Sequence, residues 1–172
     1  MRRCLEKPIP IRGDYPDVLI RLGESADLPM LAEALGLKKA RRFAERLKVG
    51  HDLFVGFVSG VFFGYMWVAT SAYHERCHNL FVPLNDDEIY QFDGWVRPEK
   101  RGRQLAHLAL VHVFQHFLAR GRRWALAYCQ NDPKRAAYKM HRRLGFEPLA
   151  LIRYRRILSF KSCRFLPIKS ED

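Results

Sequence analysis

Apolar positions recur along the chain with two different periods, which predicts strands and helices in a mixed order. An apolar run at Val18–Leu22 predicts a first strand. Intervals of three and four residues then predict one helix beginning at Ser25 and a second over Lys38–Leu47, with Gly36 between them. Further strands are predicted at 53–58, 61–69, 88–96 and 124–129, and Phe146–Phe160 is expected to hold one or two more.

The second half of the chain carries the clearest helical pattern. Over 103–119, Ala106, Leu110, Val113 and Phe117 fall on one stripe, and Gly121 ends the helix. Another helix is predicted from Pro133 to Arg143, with Gly145 just beyond it. The sequence therefore predicts an α/β domain of the α+β type. We expect one domain over 1–172, with an irregular N-terminal arm at 1–17 and an irregular stretch at 72–87.

One segment, residues 53–73, has no charged side chain over 21 positions, which is about the length of a membrane-spanning helix. Its glycines at 56, 60 and 64 also have the spacing of closely packed membrane helices. However, Phe, Val, Tyr and Trp dominate it, and these residues favour strands. Three glycines would weaken a helix. We therefore predict a β-hairpin that turns at Ser59-Gly60.

Composition narrows the class of protein, and charge narrows it further. Of the 172 residues, 48% are hydrophobic and 28% charged, which excludes a disordered or low-complexity chain. The net charge is +12, and residues 97–156 alone carry 15 Lys and Arg against three acidic side chains. Residues 1–96 carry 12 basic and 13 acidic side chains. Such an excess predicts a polyanionic partner for this stretch: nucleic acid, an anionic membrane, an acidic protein or a phosphate-rich cofactor.

Cysteine and histidine positions give no metal or disulfide pattern. Four cysteines lie far apart without a C-x-x-C motif, and the chain does not begin with a signal sequence, so we expect a cytoplasmic protein with free thiols. His112 and His116 have zinc-like spacing but lack the glutamate of H-E-x-x-H. His74, Cys77 and His78 lack a fourth ligand. No metal is expected.

The junction Val96–Ala106 is the strongest candidate for an anion site. A strand ends there, Pro98 turns the chain, and an Arg/Gly segment leads into the long apolar helix. The first amides of a helix have no intrahelical acceptor and lie at the positive end of its dipole, so they bind phosphate groups. Lys100, Arg101 and Arg103 add positive charge. The alternative is a solvated basic loop.

These residues resemble those of a known family. The pattern V-x-P-x-x-R-G-x-x-x-A, then a helix, a strand, Asn131 and Leu144-Gly-Phe146 is similar to the GNAT acyltransferase superfamily. Its pyrophosphate motif, R/Q-x-x-G-x-G/A, is Arg101-Gly102-Arg103-Gln104-Leu105-Ala106 here, with Gln104 in place of a glycine. The resemblance implies a mostly antiparallel central sheet of six to seven strands, splayed between the fourth and fifth, with about four flanking helices.

The resemblance also implies how a coenzyme A donor would bind. Amides from Arg103 to Ala106 would cradle the pyrophosphate, the backbone at Trp95 and Val96 would pair with the pantetheine arm, and Asn131 would meet that arm at the mouth of the splay. The expected donor-binding residues are Trp95, Val96, Arg101, Gly102, Arg103, Gln104, Leu105, Ala106 and Asn131.

Two kinds of catalytic residue are expected. His141 stands where many members of this family carry the tyrosine that protonates the departing thiolate, and Tyr138, one turn earlier, is the rival donor. His141 has an alternative interpretation as a polar residue on a solvent-facing basic helix. For the base that removes the amine proton, Glu88 is the first candidate and Asp93 the second.

The resulting prediction is an N-acyltransferase that moves an acetyl or other acyl group from acyl-CoA to a small-molecule or peptide amine by direct attack. A variant would use an acidic acyl carrier protein as the donor. The alternative of another class is a nucleic-acid-binding module, since residues 25–47 resemble a helix-turn-helix whose second helix is basic. The near-neutral first half disfavours that alternative.

Overall fold

The computed structural model describes residues 1–11, 15–75, 79–157 and 160–166. Six strands form the central sheet in the order β1-β8-β7-β4-β3-β2. Every neighbouring pair is antiparallel except β7 and β8, which run parallel. The strands of this sheet are β1 (Arg2–Cys4), β2 (Val18–Gly23), β3 (Asp52–Val58), β4 (Val61–Ala69), β7 (Glu88–Val96) and β8 (Trp124–Ala127).

Helices cover both faces of the sheet. On one face Leu31 of α1 and Phe43 of α2 pack with the buried aromatic side chains of the sheet. On the other, α3 buries Leu110 and Phe117 against the sheet, together with Leu144 at the end of α4. The helices are α1 (Leu28–Leu35), α2 (Leu37–Lys48), α3 (Leu105–Leu118) and α4 (Ala136–Arg143), with short 3₁₀ turns at Ser25–Asp27 and Pro98–Lys100.

The uncharged segment 53–73 folds as predicted. Strands β3 and β4 pair antiparallel from Asp52↔Val68 to Val58↔Val61, and both turn residues, Ser59 and Gly60, have positive φ, as tight hairpin turns require. Within the part of the chain that the structure describes, no helix combines the length and apolarity needed to cross a membrane.

The feature that organises the site is the divergence of the two parallel strands. β7 and β8 are paired from Glu88↔Trp124 to Gln91↔Ala127, and β8 ends there while β7 continues to Val96. Among the strands that the structure describes, none pairs with the last residues of β7 on the β8 side. A β-strand edge left in this way offers N–H and C=O groups without a ladder partner, and one of them, the Val96 carbonyl, accepts a hydrogen bond from Arg101 Nε at 3.1 Å. Counted from β2, the opening lies between the fourth and fifth strands, as the sequence resemblance implied.

The sheet and helix predictions are confirmed, with two corrections. The N-terminal arm is not irregular throughout: Arg2–Cys4 forms β1, which pairs antiparallel with β8. Three residues are too few to produce a periodic pattern, so this long-range pairing has no signature in the sequence. The stretch 72–87 contains a small hairpin, β5 (Tyr73–Glu75) with β6 (Leu80–Val82). The C-terminal strands β9 (Leu151–Ile157) and β10 (Phe160–Leu166) pair only with each other among the described strands.

Candidate active site at the strand divergence

A cavity of about 240 Å³, here called the slot, opens where β7 leaves β8. It passes through the layer of the sheet, because its lining comes from both faces: Phe92 and Trp95 on the α2 side, and Ala137 and His141 on the α4 side. The C-terminal residues of β7, Gln91 to Val96, form one wall of the slot. An elongated molecule entering the slot would lie along the unpaired edge of β7.

A β-bulge brings Asp93 into the slot. Met66 of β4 stands opposite two residues of β7, Asp93 and Gly94, and Asp93 adopts a left-handed conformation with φ 44°. The Asp93 carboxylate accepts a hydrogen bond from the Tyr65 hydroxyl at 3.0 Å and pairs with the Arg46 guanidinium of α2. Burial, reinforced by the Asp93 charge, raises the pKa of Tyr65, so Tyr65 remains a donor.

On the α2 side, the slot is bordered by aromatic rings and two cations. Tyr65 and Trp95 stack with centroids 6.2 Å apart, and the Lys39 ammonium lies 4.9 Å from the Tyr65 ring. The Arg46 guanidinium lies 5.1 Å from the ring of Phe92. Such contacts fix the long cationic side chains, and they hold Arg46 in place to pair with Asp93.

His141 is buried in the slot wall, and its hydrogen bonds fix its tautomer. Nδ1 lies 2.7 Å from the Ala137 carbonyl oxygen, which can only accept, so Nδ1 carries the proton. Nε2 lies 2.9 Å from Gln91 Nε2, which donates to it. Burial lowers the pKa of His141. The ring is therefore neutral, and its one N–H points back to its own helix.

This arrangement predicts a pH-dependent stability. Because the pKa of His141 is lower in the folded protein than the ordinary value near 6.5, the unfolded chain binds the proton first and the folded state loses stability as pH falls below about 6.5. His141→Gln removes that loss. Between pH 7.5 and 5.5, urea unfolding should show a drop in the free energy of unfolding that is smaller in the variant by up to about 1.4 kcal/mol.

The matched control is His74→Gln, at an exposed position of β5. The His74→Gln variant should show the same fall in the free energy of unfolding between pH 7.5 and 5.5 as the wild type. Since His51, His112 and His116 also have lowered pKa values and are present in both variants, their contributions cancel in the comparison. An unchanged drop in His141→Gln would mean that His141 is not buried as a neutral ring.

A larger, basic hollow of about 780 Å³ adjoins the slot at the start of α3 and shares Val96, Ala106 and Met140 with it. Lys100 and Arg101 line it from the β7–α3 turn, and Lys139 and Arg143 from α4. The backbone amides of Leu105, Ala106 and His107 form the first turn of α3 and have no intrahelical acceptor. The hollow thus combines a helix N-terminus with four cations, which is an arrangement suited to phosphate groups.

The chain enters α3 through an unusual backbone conformation. Gln104, the N-cap residue, has φ 59°, and Gly102 has φ 78°. A left-handed residue costs about 1–2 kcal/mol when it is not glycine. Gln104 therefore occupies a position whose backbone conformation suits the glycine of the sequence motif, and it is one of the residues that line the hollow.

A third cavity of about 490 Å³, the apolar groove, lies between β8, the β5–β6 hairpin and the segment leading into β9. It touches the slot at Tyr128, which lines both. Much of its wall is apolar, from residues that include Leu80, Phe81, Val82, Leu126, Leu149 and Ile152. The three cavities form a series: basic hollow, slot, apolar groove.

The structure gathers some predicted residues and separates others. Val96, Arg101, Gly102, Gln104, Leu105 and Ala106 line the basic hollow, and Trp95 lines the slot together with Val96 and Ala106. Arg103 lines neither cavity, and Asn131 lines the apolar groove instead of the slot. Tyr138 also lines the apolar groove, whereas His141 lines the slot, so the two rival donors face different cavities.

Glu88 does not lie where the predicted base should be. It stands at the start of β7, three residues before the divergence, and lines the apolar groove. Its carboxylate accepts the Asn85 amide at 3.0 Å and lies 3.5 Å from the Arg2 guanidinium. The structure therefore does not bring Glu88 together with the slot, because its position before the divergence and its own partners hold it elsewhere. Asp93 reaches the slot through the bulge.

Sequence reasoning missed several residues around the slot. Gln91 is a polar residue within the apolar run Ile89–Phe92, and that interruption was a usable signal for a buried polar role. Lys139 and Arg143 are four residues apart on α4, the spacing that places two side chains on one helix face. Arg46 and Tyr65 gave no signal, since only the fold brings them to Asp93.

Among the described residues, no group of three or more His, Cys, Asp or Glu side chains could hold a metal ion. Cys77 and His78, which were considered with His74, lie outside the described residues.

Comparison with solved structures identifies the fold. An aminoglycoside N-acetyltransferase solved with CoA is 20% identical, with a TM-score of 0.59 over 80% of this chain and 98% of its own. A putative acetyltransferase from Salmonella typhimurium, solved with acetyl-CoA, is 14% identical with a TM-score of 0.57 over 90% and 96%. A ribosomal-protein-alanine N-acetyltransferase from Brucella melitensis is 20% identical with a TM-score of 0.55 over 78% and 88%.

The chain therefore has the fold of the GCN5-related N-acetyltransferases, the GNAT fold, as its sequence resemblance implied. No family model matches the sequence, and no curated protein matches it. The likeness is thus carried by architecture, at identities of 20% or less in these structures.

Proposed function

We propose that this protein is an acyl-CoA-dependent N-acyltransferase, which transfers an acetyl group to an amine by direct attack. The observation that carries the proposal is the continuity of the basic hollow with the slot, which share Val96, Ala106 and Met140. The pyrophosphate of an acyl-CoA needs cations and helix amides. Its pantetheine arm needs a narrow passage beside a strand edge that can form hydrogen bonds. The two cavities supply these in that order.

The donor-binding residues follow from this placement. The first amides of α3, with Lys100 and Arg101, would hold the pyrophosphate, and Lys139 and Arg143 add charge from α4. The C-terminal part of β7, which has no partner in β8, would offer backbone groups to an extended pantetheine arm in the slot, as an edge strand does to a peptide. The acyl thioester supplies the electrophilic carbonyl when it is bound. This fit makes acetyl-CoA, or a short-chain relative, the donor we favour.

We assign Asp93 as the general base: its carboxylate would accept the proton of the attacking amine, directly or through a water molecule. Its carboxylate lies in the slot wall, with 33% of the side chain exposed, and the Tyr65 hydroxyl and Arg46 orient it. An ammonium must lose a proton before it can attack, so an oriented carboxylate at the reaction point serves the chemistry. The assignment replaces Glu88, which is turned toward the apolar groove.

We assign His141 to positioning and not to proton delivery. Its single N–H is held by the Ala137 carbonyl, and a second proton on Nε2 would face the Gln91 N–H that donates to it. A departing thiol with an ordinary pKa near 8.5 can leave as the thiolate and take its proton from water. His141 and Gln91 would then define the slot wall, and His141→Gln should keep turnover within a few-fold of wild type.

The activity is tested with the purified chain. Acetyl-CoA should raise its melting temperature, whereas duplex DNA should not, because ligands that bind only the folded state stabilise it. Thiol release should follow when acetyl-CoA and a panel of primary amines are added. Absence of any shift with acetyl-CoA and other acyl-CoA donors, together with salt-sensitive DNA binding, would favour a nucleic-acid-binding protein instead.

A charge variant tests the basic hollow. Arg101→Gln removes one cation from the lining and should raise KM for acetyl-CoA about tenfold, equivalent to about 1.4 kcal/mol, with kcat little changed. Steady-state thiol release measures both constants. Arg120→Gln, which removes an exposed arginine at the other end of α3, is the matched control and should leave KM unchanged. Equal effects of the two variants would indicate a general charge effect instead of a donor site.

A further inference from the structure

We propose that the apolar groove is the acceptor site, and that the acceptor is a primary amine whose substituent is an aryl or branched-alkyl group. This inference rests on the proposed function and narrows it to a substrate class. The volume of about 490 Å³ lies within the range of cavities that enclose small organic molecules. The groove is therefore large enough to enclose most of such an aryl or branched-alkyl group.

Continuity with the slot places the groove on the reaction path. The basic hollow reaches the slot from the α3 and α4 side, whereas the groove meets it at Tyr128, the residue that follows β8. A donor bound in the hollow and slot leaves this second approach open. An acceptor lying in the groove would therefore present its amine to the slot from the side opposite to the donor's phosphates.

The side chains that line the groove favour an acceptor with an apolar substituent. Phe81 and Leu149 line the groove and are 59% and 56% exposed, so two large apolar side chains remain accessible on the described surface around one cavity. Leu151 adds a third exposed apolar residue beside them. Exposed apolar surface of this kind gains free energy when an apolar ligand covers it.

The charge of the groove disfavours a polycationic acceptor. Glu88 is the one carboxylate among the described lining residues, and it already binds Arg2 and the Asn85 amide. A polyamine would need several free carboxylates. By contrast, a monoamine has no further charge to place along the groove, because its one amine would lie at the slot end.

Binding is measured first without any donor. 2-Phenylethylamine is titrated into the full chain by calorimetry, with kanamycin as the polar polyamine. The aryl amine should bind, and kanamycin should bind at least tenfold more weakly. Phe81→Ser combined with Leu149→Ser should weaken the aryl amine at least tenfold. The control, Leu19→Ser combined with Val61→Ser, removes two equally exposed apolar residues that do not line the groove and should have no effect.

Transfer is measured second, as thiol release from acetyl-CoA. The groove variant should raise KM for 2-phenylethylamine at least tenfold and leave KM for acetyl-CoA unchanged. If the aryl amine binds as expected but no amine is acetylated, the groove remains a binding site for aryl amines and the proposed function fails. If kanamycin is acetylated while the aryl amine neither binds nor reacts, the activity stands and this inference is overturned. A groove variant that changes only the preference for acyl-chain length would also overturn it, because the groove would then hold the donor's chain.

Discussion

Replacing Asp93 with asparagine should lower kcat/KM for acyl transfer about 100-fold, the size of effect that loss of a general base produces. Asparagine tolerates the left-handed φ of 44° and can still accept the Tyr65 hydrogen bond, so the bulge should survive while the negative charge is lost. Among the described residues that line the slot, no other carboxylate could then take the amine proton. Thiol release at several pH values measures the loss, and the melting temperature checks the fold.

Glu88→Gln is the matched control. It removes a carboxylate from the same strand, but one that faces the apolar groove and is bound by Arg2 and Asn85. We expect a change in kcat of less than about threefold, with a modest loss of stability from the weakened ion pair. A large loss of kcat in Glu88→Gln with little change in Asp93→Asn would reverse the assignment and restore the base predicted from sequence.

Replacing Gly64 with alanine should destabilise the protein by about 3 kcal/mol, at the upper end of ordinary overpacking effects. A methyl group at this position would lie 2.4 Å from the Trp95 carbonyl oxygen, which belongs to the backbone of β7 and cannot rotate away. The strands β4 and β7 would have to separate beside the slot. For a chain of this size we expect the melting temperature to fall by about 6–12 °C, measured by circular dichroism.

Gly50→Ala separates this steric effect from the conformational cost of replacing a glycine. Gly50 has φ 82°, so alanine is strained there, but its methyl group would meet no atom within 4 Å. We expect a loss of about 1 kcal/mol. If the two variants lose the same stability, the close approach of β4 to the Trp95 carbonyl is not what requires glycine at Gly64.

Patterns that repeat along the chain predicted most of the fold. The β3–β4 hairpin was predictable because aromatic and β-branched residues flank Ser59-Gly60, and α3 because its apolar residues recur at helical spacing over several turns. The Arg/Gly segment before α3 likewise indicated the basic hollow. Each of these signals is local, so a single sequence contains it.

The rest of the site depends on contacts between distant residues. The bulge at Asp93 adds one residue to β7, and nothing in the local pattern of apolar positions marks it. Strict alternation would place Glu88 and Asp93, five residues apart, on opposite faces of β7 unless a bulge intervenes, and only the fold shows which of them reaches the slot. The role expected of His141 depended on the partner of each ring nitrogen, Ala137 and Gln91, and one of these is 50 residues away.

The first strand of the sheet has a consequence for the order of folding. β1 pairs with β8, at least 120 residues later in the chain, and the Arg3 guanidinium donates to the Leu144 carbonyl at the end of α4. During synthesis from the N-terminus, β1 has no partner until β8 has left the ribosome. Contacts of such high sequence separation carry a large loop-closure cost and form slowly. The sheet edge beside the slot is therefore expected to be among the last parts of the nascent chain to become ordered.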